Sequence, residues 1–305
     1  MKFAVTILGS GPAKPTTERL TSAHVLNVHE HFFLIDCGEG AQVSMEKYGI
    51  SIQKIHHIFI SHLHGDHYFG LIGLINSMHL FNRKRDLHIF CFPELEEIIR
   101  IQLHAANTQL SFQLKFHFLK NDQSHTILET KQVTVTSFPL LHRIPTCGFL
   151  FKEKKRSRNI RKEFVAQHHI SPQWFPKILQ GEDYIDKDGT IYPNESIVQF
   201  SSVPRTYAYC SDTAFCKDIV PIIKDVSLLY HEASFTNEHK GLAGEKLHST
   251  AAQAAEIAKY AHAGQLVIGH FSGRYKEITP LLNEAKEIFS QTIEAKDGLT
   301  IEVFS

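Results

Sequence analysis

The chain has 305 residues, 43% of them hydrophobic, enough for one large domain or two ordinary ones with a sizeable core, which excludes overall disorder. Lys plus Arg and Asp plus Glu both total 32, for a formal charge of zero. A globally basic nucleic-acid coat is therefore excluded, and any polyanion must be met by a local patch or a metal. In chain order, short runs rich in Val, Ile, Phe and Tyr predict strands at residues 3–8, 32–36 and 58–60. A helix at 70–81, a strand at 87–91, a helix at 94–104 and a strand at 132–138 follow. Further strands are expected at 206–210, 227–230, 266–268 and 300–304, with helices at 251–262 and 278–290. The helix at 251 is marked at both ends, opening after Ser249 or Thr250, natural N-cap residues, and stopping at Gly264. Strand runs alternating with helical ones predict an α/β chain, its sheets covered by helices.

Histidine is the compositional outlier at 21 residues, and imidazole is the commonest metal ligand among side chains. The five cysteines, none in a CxxC pair, argue against a disulfide framework or a cysteine-type structural zinc and fit a reducing compartment. The apolar opening is broken by Gly9, Gly11 and Pro12 too early for a signal peptide, and no stretch approaches the roughly 18 apolar residues that span a bilayer. A soluble cytoplasmic protein without membrane association is the expectation. One segment differs in composition: residues 152–162, KEKKRSRNIRK, carry seven basic side chains against one acidic. The stretch running on to about residue 197 holds Pro172, Trp174, Pro176, Gly181, Gly189 and Pro193 with little periodicity. It reads as an insertion or arm, although a basic run by itself is most often a solvated face or loop. The role of Trp174 is not readable from the sequence.

The strongest chemical signal is SHLHGDH at residues 61–67, directly after the apolar run 58–60. Three imidazoles and a carboxylate in so short a stretch call for a cation. Alternation lets His62 and His64 point one way while Asp66 and His67 turn toward a neighbouring position, which supplies ligands for two adjacent metals. Further candidates lie just past apolar strands: His142 after 132–138, Asp212 after 206–210 and His270 after 266–268. Ligands in open α/β sheets gather at such strand ends. His24, His79, His104 and His117, each alone in its stretch, read as ordinary hydrogen-bonded side chains.

Several segments, taken in order, resemble the metallo-β-lactamase fold and, within it, ribonuclease Z. They are LGSGPAKPTTER at residues 8–19, IDCGEGAQ at 35–42, SHLHGDHYFGLIGL at 61–74 and HRIPTCGF at 142–149. SDT at 211–213, HEASF at 231–235, HSTAAQAAEIA at 248–258 and IGHFSGRY at 268–275 complete the order. HxHxDH alone specifies only the superfamily; HST and HFSGRY narrow the resemblance to ribonuclease Z. The resemblance implies a single domain over 1–305, an αβ/βα four-layer sandwich with two mixed β-sheets and an inserted arm at about 151–198. It implies two Zn²⁺ per subunit, one held by His62, His64 and His142, the other by Asp66, His67 and His270, with Asp212 bridging. Imidazoles and carboxylates suit zinc, although manganese and iron accept the same donors.

What the resemblance implies about activity is cleavage of precursor transfer RNA at its 3′ end by a homodimeric endoribonuclease. His248 is then the candidate general acid with Glu232 as its carboxylate partner, and Asp66 both binds metal and orients the attacking hydroxide. Arg274 and Tyr275 would suit a phosphate and the terminal nucleotide, and Lys154, Lys155, Arg156 and Arg158 in the arm would suit the phosphate backbone. Glu39 is either a support beside the ligands or purely structural. Three departures from the family pattern stand out: SPQWFPKI at 171–178 lacks the arm's usual Gly-Pro, Ser211 stands where Gly is common, and Gly273 where Pro is common. The alternatives are a metal-dependent phosphodiesterase acting on small esters or other nucleic acids, and a non-catalytic RNA-binding relative. A thioester hydrolase or β-lactamase would leave HST and SGRY without a purpose.

Overall fold

The run FAVTILG forms the strand Phe3–Gly9, which pairs antiparallel with Ala23–Val28 on one side and Thr300–Glu302 on the other. The structure, a computed structural model, describes residues 2–154, 158–200 and 203–304. The first sheet has seven strands, in the order Thr300–Glu302, Phe3–Gly9, Ala23–Val28, His31–Ile35, Ile55–Phe59, Leu87–Cys91 and Leu114–Phe118. From His31–Ile35 onward the pairing is parallel. A second seven-stranded sheet has the order Thr292–Glu294, Gln265–Gly269, Leu228–Glu232, Thr206–Cys210, Thr146–Glu153, Val133–Leu140 and His125–Glu129. Its first four strands are parallel, and Thr146–Glu153 joins them antiparallel.

Successive side chains of a strand point to opposite faces, and here both faces are covered. Phe33 and Ile35 join Phe149, Phe151, Tyr207 and Tyr209 in a core between the sheets. Leu34 instead packs with Ala41, Leu74, Met78 and Leu95 from the helices Ala41–Lys47, Leu71–Leu80 and Glu94–Ala105. In the second sheet, Ala208 and Cys210 face Ala254, Ile257 and Leu281 from the helices Ala251–Tyr260 and Thr279–Ile288. Helix, sheet, sheet and helix thus form four layers. Burial on both faces explains why these strands read as continuous apolar runs rather than alternating ones.

Most expected elements form within one or two residues of their predicted ends. Three strands that went unpredicted have physical reasons. Ala23–Val28 is buried at every position, but His24 and Asn27 interrupt its apolar run. Leu114–Phe118 and His125–Glu129 are the outermost strands of their sheets, half exposed and weakly patterned. Val133–Leu140 runs past the predicted stop at Phe138, through Pro139.

By the density of its contacts the chain divides into two compact units, one comprising the chain up to Lys152 together with Arg205–Phe304, the other Glu153–Pro204. In the smaller unit the strands Arg158–Ile160 and Val198–Phe200 pair antiparallel, and Tyr184–Ile185 pairs with Ile191–Tyr192. Its core gathers Ile170, Ile178, Tyr184, Ile197 and Val198, with Trp174 packed edge-on to Tyr184 at 5.3 Å. Trp174 is thus part of that unit's own core, with the Lys177 ammonium 5.0 Å over its ring. Among the described residues no helix is long and apolar enough to cross a membrane.

Candidate active site

Three neighbouring parallel strands, Thr206–Cys210, Leu228–Glu232 and Gln265–Gly269, end side by side, with Cys210 opposite His231 and Glu232 opposite Gly269. Their carboxyl ends deliver Asp212, Glu232 and His270 to one crevice. From the first sheet, Ile55–Phe59 runs on into SHLHGDH, while Val133–Leu140 of the second sheet leads to His142. Three residues at this crevice, Asp36, Leu247 and His270, take left-handed conformations, at φ 54°, 55° and 59°. Non-glycine residues hold such angles only where the surroundings over-determine them.

The seven metal-ligand candidates meet. His62 Nε2 and His142 Nε2 lie 3.1 and 3.2 Å from His64 Nδ1, and Asp212 Oδ2 lies 3.7 Å from His62 Nε2 and 3.9 Å from His142 Nε2. On the other side His270 Nε2 is 3.3 Å from Asp66 Oδ2 and 3.2 Å from Asp212 Oδ1. His67 Nε2 is 3.5 Å from both of those oxygens. Two donor groups therefore share one carboxylate, which turns one oxygen to each. A tetrahedron with nitrogen ligands 2.0–2.1 Å from its centre has edges of about 3.3–3.4 Å, so these separations suit a zinc-sized cation in each group. His67 Nε2 and Asp212 Oδ1 are buried and have no hydrogen-bond partner among the described residues, a state that proteins avoid unless something else satisfies such atoms.

For the first group and the shared carboxylate the electrostatics agree with that fit. Burial pushes His62 well below its ordinary pKa and lowers His64 and His142, leaving neutral rings with free lone pairs. Burial opposes charge on Asp212, yet His270 and His67 hold its carboxyl well below the usual range. The far ring nitrogens are anchored too. His67 Nδ1 donates to Asp36 Oδ2 at 2.7 Å, His142 Nδ1 to the Leu247 carbonyl at 2.9 Å, and His62 Nδ1 to Ser61 Oγ at 3.0 Å. Such bonds fix the tautomer and aim Nε2 at the metal.

His248, two residues ahead of the N-cap Thr250, stands beside the donor groups with Nδ1 2.8 Å from Glu232 Oε1. Glu232 is fully buried and also accepts backbone N–H bonds from Thr213, Ser234 and Ser249. Burial disfavours an imidazolium here, but the Glu232 carboxylate, by charge and by hydrogen bond, raises His248 to about 9. A cavity of about 450 Å³ opens over these groups, walled by Pro12, His64, Phe69, Phe235, Lys246 and Gly273 among others.

Other candidates do not line this cavity. Arg274 is exposed, its guanidinium 5.4 Å over the Phe235 ring. The Tyr275 hydroxyl lies 3.1 Å from both Thr236 Oγ1 and His239 Nδ1 and accepts from the Thr236 N–H. The Glu39 side chain is exposed. Lys154 belongs to the smaller unit, Arg158 opens its strand Arg158–Ile160, and Lys155 and Arg156 lie outside the described residues. Sequence reasoning gave no role to Asp36, although its signal was present: a carboxylate ending an apolar strand in IDCG. Phe69 and Lys246, both at the cavity, carried no signal.

Two mixed sheets between helical layers, with the donor groups at their strand ends, define the metallo-β-lactamase fold. The metallo-β-lactamase fold protein YhfI of Bacillus subtilis matches 99% of this chain and 100% of its own at a TM-score of 0.70 and 19% identity. Human tRNase Z, short form, matches at 0.73 and 26% identity over 99% and 100% of the two chains. Ribonuclease Z of Phocaeicola vulgatus is 43% identical over 304 residues, 100% of this chain and 98% of its own, and that of Cytophaga hutchinsonii 44% over 99% and 97%. The chain belongs to the ribonuclease Z family. A family model described as Anti-Pycsar protein Apyc1 also matches residues 3–191, a span that includes SHLHGDH and His142 but stops short of Asp212, His248 and His270.

Proposed function

We propose that the protein is a zinc-dependent endoribonuclease that cleaves precursor transfer RNA at its 3′ end, leaving a 3′ hydroxyl on the transfer RNA and a 5′ phosphate on the trailer. The observation that carries this reading is a carboxylate-bridged pair of donor groups beside a histidine hydrogen-bonded to a buried glutamate, in a chain aligned end to end with ribonuclease Z relatives. His62, His64 and His142 would hold one zinc, Asp66, His67 and His270 the other, and Asp212 both. Such a pair lowers the pKa of water and stabilises the attacking and leaving oxygens of a displacement at phosphorus.

This chain's own residues do the rest. His248 carries a proton at neutral pH and gives it to the departing 3′ oxygen from the nitrogen that does not face Glu232. Glu232 keeps it charged and oriented. Asp66, its Oδ2 fixed by the Ala13 N–H at 2.7 Å, orients the attacking water. Arg274 meets a phosphate outside the cavity, and Tyr275, its hydroxyl already engaged, shapes the loop that presents Arg274. The segment at 151–198 acts as the arm, where Lys154, Lys155, Arg156 and Arg158 meet the RNA backbone in a salt-dependent, sequence-independent way. The enzyme works as a cytoplasmic homodimer. Val43, Leu80, Phe81 and Ile101, exposed on the helical layer of the first sheet, offer apolar surface for a second copy.

The test is cleavage of a trailer-bearing precursor by zinc-loaded protein, with and without chelator. The expected result is one cut after the discriminator nucleotide, abolished by chelation. An unaltered precursor with metal-replete protein would overturn the reading, and turnover of bis(p-nitrophenyl) phosphate alone would favour the wider phosphodiesterase reading. Light scattering during size-exclusion chromatography tests the dimer.

A further inference from the structure

The donor groups draw on both sheets, and their relative placement must be held by something other than the cation. In the strand Thr206–Cys210 the sequence TYAYC alternates large and small, so Tyr207 and Tyr209 enter the core between the sheets while Ala208 and Cys210 meet the helices. Tyr209 reaches across to the end of His31–Ile35 and donates its hydroxyl to Asp36 Oδ2 at 2.7 Å, the same oxygen that accepts from His67 Nδ1. Its ring is gripped by Tyr230, stacked at 5.0 Å, and by His24, edge-on at 5.0 Å. Asp36 also accepts from the Ser61 N–H at 2.7 Å and from Ser61 Oγ at 2.9 Å. Asp36 and Ser61 have no solvent exposure, and Tyr209 is 1% exposed.

Counting donors and acceptors makes the arrangement directional. A serine hydroxyl has one proton to give and two lone pairs. Ser61 gives its proton to Asp36 and accepts from His62 Nδ1 at 3.0 Å and from Ser211 Oγ at 2.9 Å. His62 therefore keeps Nε2 unprotonated toward the first donor group, and by accepting from Nδ1 Asp36 leaves Nε2 of His67 as the nitrogen that would face a cation in the second. Two hydroxyls from the second sheet complete this hub. Ser211 directly precedes Asp212, and Tyr209 stands three residues before it. A buried network with every member satisfied specifies one geometry.

We propose that Tyr209 and Ser211 are positioning residues for the metal centre: Tyr209 acts through Asp36 on His67 in the second donor group, and Ser211 acts through Ser61 on His62 in the first. The inference rests on the donor groups binding metal and is independent of what the enzyme cuts. Its test is a Co²⁺ titration of metal-free protein followed by visible absorption. The two binding steps are assigned with His142→Ala, which removes a ligand of the first group, and His270→Ala, which removes one of the second. Hydrogen-bonded supports of metal ligands typically matter 10- to 100-fold in affinity. Tyr209→Phe, which keeps the ring and its packing, is expected to weaken the second-group step by about tenfold or more and leave the first near its wild-type value. Ser211→Gly is expected to weaken the first-group step by a smaller factor and spare the second.

A role in packing alone would not divide the steps in this crossed pattern. Equal weakening of both steps by each variant, or no change in either, overturns the proposal. Should Tyr209→Phe fail to fold, Ser211→Gly decides alone, and an unchanged first step in that variant overturns it. Absence of any Co²⁺ binding by the wild type would instead remove the metal-centre reading on which this rests.

Discussion

Glu232 has no solvent exposure and takes hydrogen bonds from three backbone N–H groups as well as from His248. It couples the loops that carry Asp212, Ser234 and Ser249 to one charge, and that charge governs a proton. With His248 raised to about 9, the ring stays protonated across neutral pH, and a rate that needs its proton declines only as pH rises toward that value. Glu232→Gln keeps the shape and removes the charge. Burial then acts with less opposition, so the alkaline edge of the single-turnover pH profile should move to lower pH by more than about one unit. An edge that stays in place would show that another group gives the proton. His248→Ala should keep both metals and lose about 10²- to 10⁴-fold in rate, whereas Asp212→Ala, which removes the oxygen nearest each group, should lose metal and rate together. Metal analysis beside cleavage rates separates the two.

At the scale of single elements, the helix Ala251–Tyr260 matters because its start fixes where His248 stands. Thr250 Oγ1 accepts from the Gln253 N–H at 3.2 Å, and Gln253 Oε1 accepts from the Thr250 N–H at 2.9 Å, a reciprocal capping box. The sequence offered Ser249 or Thr250 as the cap; the structure uses Thr250 and gives the Ser249 hydroxyl to the Thr213 carbonyl at 2.7 Å. Thr250→Ala should cost about 1 kcal/mol of stability, read from the urea midpoint, and it should also slow cleavage because the loop bearing His248 loses its anchor. An unchanged midpoint would mean that packing of Ala251, Ala254 and Ala255 holds the helix start without the cap.

How much was readable follows from where each signal sits along the chain. His62, His64, Asp66 and His67 announced themselves because four ligand-type side chains fall within six residues, and His142, Asp212 and His270 because each follows an apolar strand. Asp36 and Tyr209 stayed hidden since their contact joins residues 173 apart across two sheets, and nothing local records which residues will face each other there. His24 read as an ordinary hydrogen-bonded histidine, and its 2.9 Å bond to the Tyr207 hydroxyl agrees. What the local pattern could not convey was complete burial among three tyrosines.

That burial bears on the stability of the whole molecule, most clearly in the metal-free protein. Burial and then the charge of His67 lower His24 to about 3. Burial and then the neighbouring His88 lower His57 to about 4, with His56, His117 and His31 adding to the effect. Both groups have an ordinary value of 6.5, so between 6.5 and about 4 the unfolded chain binds protons that the folded chain refuses, and stability falls as pH falls through that window. Other shifted groups do not reverse the sign. His248 and His67, raised when folded, oppose the trend above and around 6.5, but well below it they are protonated in both states and add no slope, so the groups that refuse protons dominate the fall toward pH 5. Asp66 and Asp212, lowered when folded, begin to lose their contribution only as pH falls through their ordinary value of 3.8, below this window. Each refused proton is worth up to about 1.4 kcal/mol per pH unit. Chelated protein should therefore show a lower urea midpoint at pH 5 than at pH 7, and His57→Phe, which keeps a ring between Phe33 and Phe90, should flatten that slope. A midpoint indifferent to pH over this range would mean that these histidines gain solvent, and with it their protons, before the sheets come apart.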